Sequence, residues 1–207
     1  RSSTPTSAWR GSPSNGVRVH GPSGLALRKT CRPTPFTLAK IWNMPSWKRR
    51  LGAQMPWFEA QVELADSLGL PLVIHSVRTH DEVAAVLRRR SPDVPVLVHG
   101  FSGSYQQGKT LVDLGCFLGI GGVITYDRAL KTRDAISRLP IEALVLETDA
   151  PDMPPAGVAK GENEPANLRQ VLTALAVLKK QEEEVLARQL ARNVACLYGW
   201  PDLESGQ

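Results

Sequence analysis

Three residues that could bind a metal ion follow short apolar runs at separate places in the chain. His75 ends the run Leu-Pro-Leu-Val-Ile-His, His99 follows residues 94–98, and Asp149 follows residues 143–146. In parallel α/β folds the carboxyl ends of the strands meet at one edge, where catalytic groups gather. Two imidazoles and a carboxylate are natural ligands for Zn²⁺ or Mn²⁺. A structural hydrogen bond would explain one such histidine, but three residues of this kind favour a metal site.

Two further polar residues lie near these candidates. Glu147 precedes Asp149 by two positions, a spacing that puts both side chains on the same face of a strand. We therefore treat Asp149 and Glu147 as candidate catalytic residues and expect Glu147 to orient a ligand or the attacking water. His80 lies in a Thr-His-Asp-Glu capping box, with Thr79 as the predicted cap, so we expect His80 to face solvent or the rim of the pocket.

A glycine cluster and a group of cations follow the third apolar run. The glycines in Gly-Ile-Gly-Gly (119–122) could cradle a phosphate, or could let a substrate approach the end of a strand. The cations that follow, Arg128, Lys131 and Arg133, could bind phosphate or form a solvated helix face. Arg128 and Lys131 are the candidate substrate-binding residues.

Helical and strand periodicities alternate from residue 56 onward. Residues 70–75, 94–98, 116–124 and 143–146 are predicted strands, and helices are predicted through residue 69 and over 79–90, 105–114, 128–139, 165–180 and 182–198. The first of these helices has an apolar stripe that we expect to face the core: Trp57, Phe58, Val62, Ala65 and Leu68. Four strand–helix units are typical of a parallel α/β sheet, either half of a (β/α)₈ barrel or a short doubly wound sheet.

The first 50 residues have a different composition. They hold ten of the 25 Lys and Arg residues, six of the 16 prolines and none of the 20 acidic residues. Such a segment buries too little apolar area to offset its ordering entropy, so residues 1–50 are predicted to be mostly disordered and residues 51–207 to form the folded domain. A basic arm that binds nucleic acid and a gene-fusion or out-of-frame junction are the alternatives.

The bulk composition indicates a water-soluble protein. No apolar run approaches the ~18 residues of a membrane-spanning helix, and Arg-Ser-Ser-Thr-Pro at the start has no signal-peptide character. The three cysteines form no CxxC pair, which is typical of reduced thiols. We expect a cytoplasmic protein that does not contact a membrane.

Four motifs together resemble one enzyme family. Leu-Pro-Leu-Val-Ile-His-Ser (70–76), His-Gly-Phe-Ser-Gly-Ser (99–104), Gly-Ile-Gly-Gly-Val-Ile-Thr-Tyr (119–126) and Leu-Glu-Thr-Asp-Ala-Pro-Asp-Met-Pro (146–154) occur in this order. They resemble the TatD family of metal-dependent deoxyribonucleases, most closely its YjjV branch. The resemblance implies a TIM-type (β/α)₈ barrel, two divalent ions (Zn²⁺, Mg²⁺ or Mn²⁺) and hydrolysis of phosphodiester bonds in DNA. It also implies that His75 and His99 bind one ion and that Asp149 serves the other.

The chain departs from the family pattern at its beginning. Family members carry a His-x-His motif on the first strand and a bridging Glu before the helix at residue 57, whereas His20 stands alone here and no acid precedes Glu59. We therefore predict an incomplete barrel that lacks strands one to three, at most one weakly bound ion, and impaired activity. A hydrolase of the same fold acting on another ester or amide, and a non-catalytic nucleic-acid-binding fragment, are the alternatives.

Overall fold

The computed structural model describes residues 37–42 and 51–201. This part of the chain contains five strands: β1 (Thr37–Trp42), β2 (Leu72–Val77), β3 (Val96–His99), β4 (Phe117–Ile120) and β5 (Leu144–Leu146). Six α-helices lie within residues 51–201: α1 (Leu51–Leu68), α2 (His80–Arg90), α3 (Tyr105–Asp113), α4 (Leu130–Arg138), α5 (Leu168–Lys179) and α6 (Glu183–Tyr198). A short 3₁₀ turn, Gly122–Thr125, follows β4. Among the described residues, no helix is long and apolar enough to cross a lipid bilayer.

The order of the strands decides between the two predicted architectures. The five strands pair in parallel in the order β1-β2-β3-β4-β5. A doubly wound sheet reverses its strand order at a switch point, whereas a (β/α)₈ barrel keeps the order of the chain. Within the described residues the sheet is therefore an arc of a TIM-type barrel, which is consistent with the predicted incomplete barrel.

Strand β1 corrects part of the sequence prediction. It lies inside the segment predicted to be mostly disordered, and its six residues pair with β2 along their whole length, from Thr37 opposite Leu72 to Trp42 opposite Val77. The prediction of four strands missed it because the basic, proline-rich sequence around it favours disorder, and its pairing with β2 places this strand. The rest of residues 1–50 lies outside the described residues.

The two faces of the sheet contact different parts of the molecule. Residues such as Leu72 and Ile74 belong to the large core that the helices cover. Val73, Leu97 and Phe117 lie in a second buried cluster with Leu197, near the end of α6. Because strand side chains alternate between faces, His75 and His99 share this second face with Val73 and Leu97.

Helix α1 differs from its predicted amphipathic pattern. It begins at Leu51, five residues before Pro56, and it buries Phe58, Val62 and Ala65 as predicted. Trp57 and Leu68, however, are 75% and 58% exposed, so the prediction that they face the core is wrong. Positions 58, 62 and 65 repeat at helical spacing, whereas 57 and 68 lie beside that stripe.

The capping box predicted at α2 is absent, and one is present at α3. The Thr79 hydroxyl does not cap α2 and instead lies 3.0 Å from the Ser76 hydroxyl. At α3 the Ser104 hydroxyl accepts a hydrogen bond from the backbone N–H of Gln107, whose side chain accepts one from the backbone N–H of Ser104. This reciprocal pair begins α3 directly after the loop that follows β3.

Candidate metal centre

The two predicted histidine ligands lie side by side on neighbouring strands. His75 of β2 is the register partner of His99 of β3, and their ring centroids are 5.4 Å apart. Both side chains are partly buried at the carboxyl end of the sheet. The parallel register therefore brings together two residues that are 24 positions apart in the chain.

Glu147 fixes the position of His99. One carboxylate oxygen, Oε2, lies 2.8 Å from His99 Nδ1, and the other, Oε1, accepts a hydrogen bond from the backbone N–H of Gly100 at 2.5 Å. The carboxylate thus reaches across β4 from the end of β5 to the end of β3. Histidine ligands of metals commonly donate their second ring N–H to a carboxylate, which sets the tautomer and the orientation of the ring. The expectation that Glu147 orients a ligand agrees with this contact.

The other nitrogen of His99 faces Asp149. His99 Nε2 lies 3.2 Å from Asp149 Oδ1. Hydrogen bonding to Glu147, and secondarily the charges of Glu147 and Asp149, raises the pKa of His99 above its usual value despite partial burial. Asp149 has a left-handed backbone with φ of 54°, a conformation that Asp tolerates better than most residues. Two carboxylates on opposite sides of one imidazole make this position attractive to a positive charge.

The spacing between His99 and Asp149 suits a bound cation. Two ligands about 2.1 Å from one ion lie roughly 3.0–3.4 Å apart at octahedral or tetrahedral angles. The 3.2 Å separation of Nε2 and Oδ1 falls in this range. Within residues 37–42 and 51–201, however, no three His, Cys, Asp or Glu side chains form a group that could hold an ion. These residues therefore supply a pair at ligand spacing, with His75 adjacent, and not a full coordination shell.

Gly119 makes room for the Glu147 carboxylate. A Cβ atom at Gly119 would lie 2.1 Å from Glu147 Oε2 and 2.6 Å from Cδ, too close for any side chain. The sequence predicted that the glycines at 119–122 cradle a phosphate or let a substrate approach, and neither role explains why residue 119 is a glycine. Its contact is with the residue that positions His99, and only the rotamer of Glu147 reveals it.

His80 does not face solvent, contrary to the prediction. Its side chain is buried, it meets the Phe101 ring edge-on at 5.2 Å, and its Nε2 has no hydrogen-bond partner among the described residues. Burial lowers the pKa of His80, and the nearby charge of Lys131 lowers it further while Asp81 opposes both effects. His80 is therefore a buried core residue whose pKa lies below its usual value.

The three cations after β4 have separate roles. Arg133 donates to the carbonyl oxygen of Ile124 at 2.5 Å and lies 3.8 Å from Asp127, so it supports the turn after β4. Arg128 lies over the Tyr126 ring, with its guanidinium carbon 4.8 Å from the ring centroid. Lys131 is close enough to influence His80. Arg128 and Lys131, the two candidate substrate-binding residues, are thus the ones not used to support the turn.

A family model described as TatD related DNase matches residues 43–199. The chain belongs to this family. The match covers α1 and every element after it, together with His75, His99, Glu147 and Asp149.

Individual relatives agree with this TatD assignment. An uncharacterized metal-dependent hydrolase of Haemophilus influenzae is 44% identical over 145 residues, covering 70% of this chain and 55% of that protein. A 3′-5′ ssDNA/RNA exonuclease TatD of Klebsiella pneumoniae is 35% identical over 148 residues, covering 69% and 56%. The crystal structure of the Escherichia coli TatD homologue YjjV matches with a TM-score of 0.75 and 39% identity, over 78% of this chain and 62% of that one. The chain spans just over half the length of the curated relatives it matches.

Proposed function

We propose that the described residues provide one half of the divalent-metal site of a TatD-type hydrolase acting on phosphodiester bonds of DNA. The observation that carries the proposal is the bridge around His99. Glu147 holds Nδ1, and Nε2 lies 3.2 Å from Asp149 at ligand spacing. A purely structural histidine would need one such partner, whereas this ring has a carboxylate on each side.

Each residue of the site has a defined task in this proposal. His99 and Asp149 are the pair that would hold the ion, with His75 adjacent on β2, and Glu147 keeps the His99 proton on Nδ1 so that Nε2 can act as a ligand. A bound Zn²⁺, Mg²⁺ or Mn²⁺ would lower the pKa of a water molecule and polarise the scissile phosphate. Arg128 and Lys131 would bind the neighbouring phosphates.

A nucleic-acid substrate is supported by the name of a relative. The Klebsiella pneumoniae protein, 35% identical, is a 3′-5′ ssDNA/RNA exonuclease. Hydrolysis of a lactone, an amide or an aryl phosphate ester by the same fold is the competing proposal. A second competing proposal is that the chain binds nucleic acid without catalysis, through the basic residues of 1–50. Nucleic-acid binding with a steep salt dependence that disappears when residues 1–50 are deleted would favour this alternative.

The proposal includes a low activity for this chain. The chain supplies three candidate ligands, and it has neither the His-x-His pair nor the bridging carboxylate that the family resemblance implies. Losing a single well-placed electrostatic group costs roughly 10²–10³ in rate, so we expect at least ~10³-fold less DNase activity than in a complete family member. We expect at most one ion per chain, bound in the micromolar range or more weakly.

The test combines metal binding with hydrolysis. Zn²⁺ affinity is measured by competition with a chelating dye, and cleavage of labelled single-stranded DNA is followed with Mg²⁺, Mn²⁺ or Zn²⁺ beside a lactone and an aryl phosphate ester. His99→Ala should remove both binding and residual cleavage, whereas Asp152→Asn, an exposed carboxylate outside the site, should change neither. Zn²⁺ binding that survives His99→Ala would refute the assignment, and preferential turnover of the other esters would refute DNA as the substrate.

A further inference from the structure

A small cavity lies at the same end of the sheet as the candidate metal centre. It has a volume of about 260 Å³ and is lined by Val123, Tyr126, Arg128, Ala129, Met153 and Pro154. These residues come from the turn after β4, the start of α4 and the loop after β5. That last loop also carries Asp149, so the cavity and the metal centre share one structural support.

Hydrogen bonds hold the cavity walls together. The Tyr126 hydroxyl donates to the carbonyl oxygen of Pro154 at 2.9 Å, and the Thr125 hydroxyl accepts from the backbone N–H of Ala156 at 2.7 Å. Gly122 lies so close to this loop that a Cβ there would be 2.6 Å from the Met153 carbonyl oxygen. The walls are therefore positioned before any ligand arrives, which lowers the entropic cost of binding.

Met153 is exposed in a way that packing does not explain. Its side chain is 56% exposed, and its backbone has φ of 49°, a left-handed conformation that is unfavourable for a non-glycine residue. Strained backbone of this kind concentrates at ligand sites. Arg128 also lines the cavity, and its flat guanidinium lies over the Tyr126 ring, which keeps the guanidinium oriented.

The size and chemistry of the cavity select one kind of occupant. Its volume lies below the ~300–1,000 Å³ typical of sites for drug-sized ligands, so it suits a single ring system. Apolar walls with an arginine plane favour a flat, aromatic ring, since nucleobases stack on guanidinium planes and on aromatic side chains. Arg128, which lines the cavity, also carries a positive charge that suits the phosphates flanking such a base. We propose that this cavity is a subsite for one nucleobase of the single-stranded substrate, an inference that rests on the proposed function.

The first test observes the cavity directly. The chain contains three methionines, so ¹³C-methyl methionine labelling of the full chain gives three methyl signals, and Met153→Leu assigns the one at the cavity. With metal chelated by EDTA, thymidine 5′-monophosphate should shift the Met153 signal through the ring current of its base, and deoxyribose 5-phosphate should not. Equal shifts with both compounds, or none with either, would overturn the subsite.

The second test separates stacking from charge. Arg128→Lys keeps the positive charge and removes the planar group, and Arg88→Lys is the matched control on an exposed arginine at the far end of α2. Because stacking on one base contributes about 1–3 kcal/mol, the wild-type chain should prefer oligothymidylate over an abasic oligonucleotide of equal length by at least about 5-fold. Arg128→Lys should lose most of this preference without weakening abasic binding, and Arg88→Lys should keep it.

The two proposals can fail separately. Base preference measured in EDTA requires no metal and no cleavage, so it can persist even if the chain hydrolyses nothing. Conversely, DNA cleavage with a base preference that Arg128→Lys leaves intact would overturn the subsite and leave the proposed function standing.

Discussion

Replacing Gly119 with alanine should disable the candidate metal centre without touching any of its ligands. The added Cβ would lie 2.1 Å from Oε2, 2.6 Å from Cδ and 2.9 Å from Oε1 of Glu147. Gly119 lies between two fully buried residues, Leu118 and Ile120, and is paired with Val145, so β4 cannot retreat. The Glu147 carboxylate must therefore move away, and its contacts with His99 Nδ1 and with the Gly100 N–H are lost.

The size of the effect follows from those two contacts. Each is a hydrogen bond to a charged group and contributes at least about 1.5 kcal/mol, so Gly119→Ala should lower the free energy of unfolding by about 3 kcal/mol. Removing the carboxylate that orients a histidine ligand typically costs 10–100-fold in metal affinity, and we expect that range for Zn²⁺. The raised pKa of His99 should fall, because hydrogen bonding to Glu147 is its main cause.

Three measurements check this prediction: urea unfolding, Zn²⁺ competition, and the pH titration of the His99 ring by ¹⁵N NMR. Gly121→Ala is the matched control, since a Cβ there meets Glu147 at an ordinary 3.6 Å and the backbone has an extended φ of −113°. We expect the control to stay within about 1 kcal/mol of wild type. An unchanged His99 pKa in Gly119→Ala, or equal effects of the two substitutions, would refute the reasoning.

Three further substitutions test the contact between Glu147 and His99 and two other parts of the structure. Glu147→Gln should lower the His99 pKa in the same NMR titration, and a pKa that stays high would assign its elevation to Asp149 instead. Asn193→Ala should lower the free energy of unfolding in urea by about 2–4 kcal/mol, because its buried amide donates to the carbonyl oxygens of Ile141 and Leu144. Burial lowers the His80 pKa below 6.5, so its contribution to stability is present above pH 6.5 and is lost as pH falls below it. His80→Gln should flatten the fall in stability below pH 6.5, and an unchanged pH profile would contradict this explanation.

The positions of the site residues could be predicted because parallel topology leaves few alternatives. His75, His99 and Asp149 each follow an apolar run, and parallel strands bring their carboxyl ends to one edge. In the structure the His75 and His99 rings lie 5.4 Å apart and His99 Nε2 lies 3.2 Å from Asp149 Oδ1, while their role as metal ligands stays a prediction. The strand order, in contrast, could not be predicted, since the apolar pattern of each strand is compatible with a barrel and with a doubly wound sheet.

The features that the sequence did not predict depend on particular contacts. Strand β1 exists through its pairing with β2, and the basic, proline-rich composition around it favours disorder. His80 is buried, and the Thr79 hydroxyl bonds to Ser76 rather than capping α2; a capping-box pattern reveals neither of these facts. The role of Gly119 depends on the rotamer of a side chain 28 positions away.

The contact between Gly119 and Glu147 constrains how these two positions can change during evolution. Since the carboxylate fills the space of the missing side chain, a larger residue at position 119 is compatible only with a shorter one at 147. Relatives should therefore show covariation at the two positions, with alanine at the first accompanied by aspartate or a smaller residue at the second. In this chain the order of substitution would matter: Glu147→Asp first opens the space that Gly119→Ala then fills, whereas the reverse order passes through an intermediate with a displaced carboxylate. The order of substitution thus decides whether the intermediate has a shortened or a displaced carboxylate.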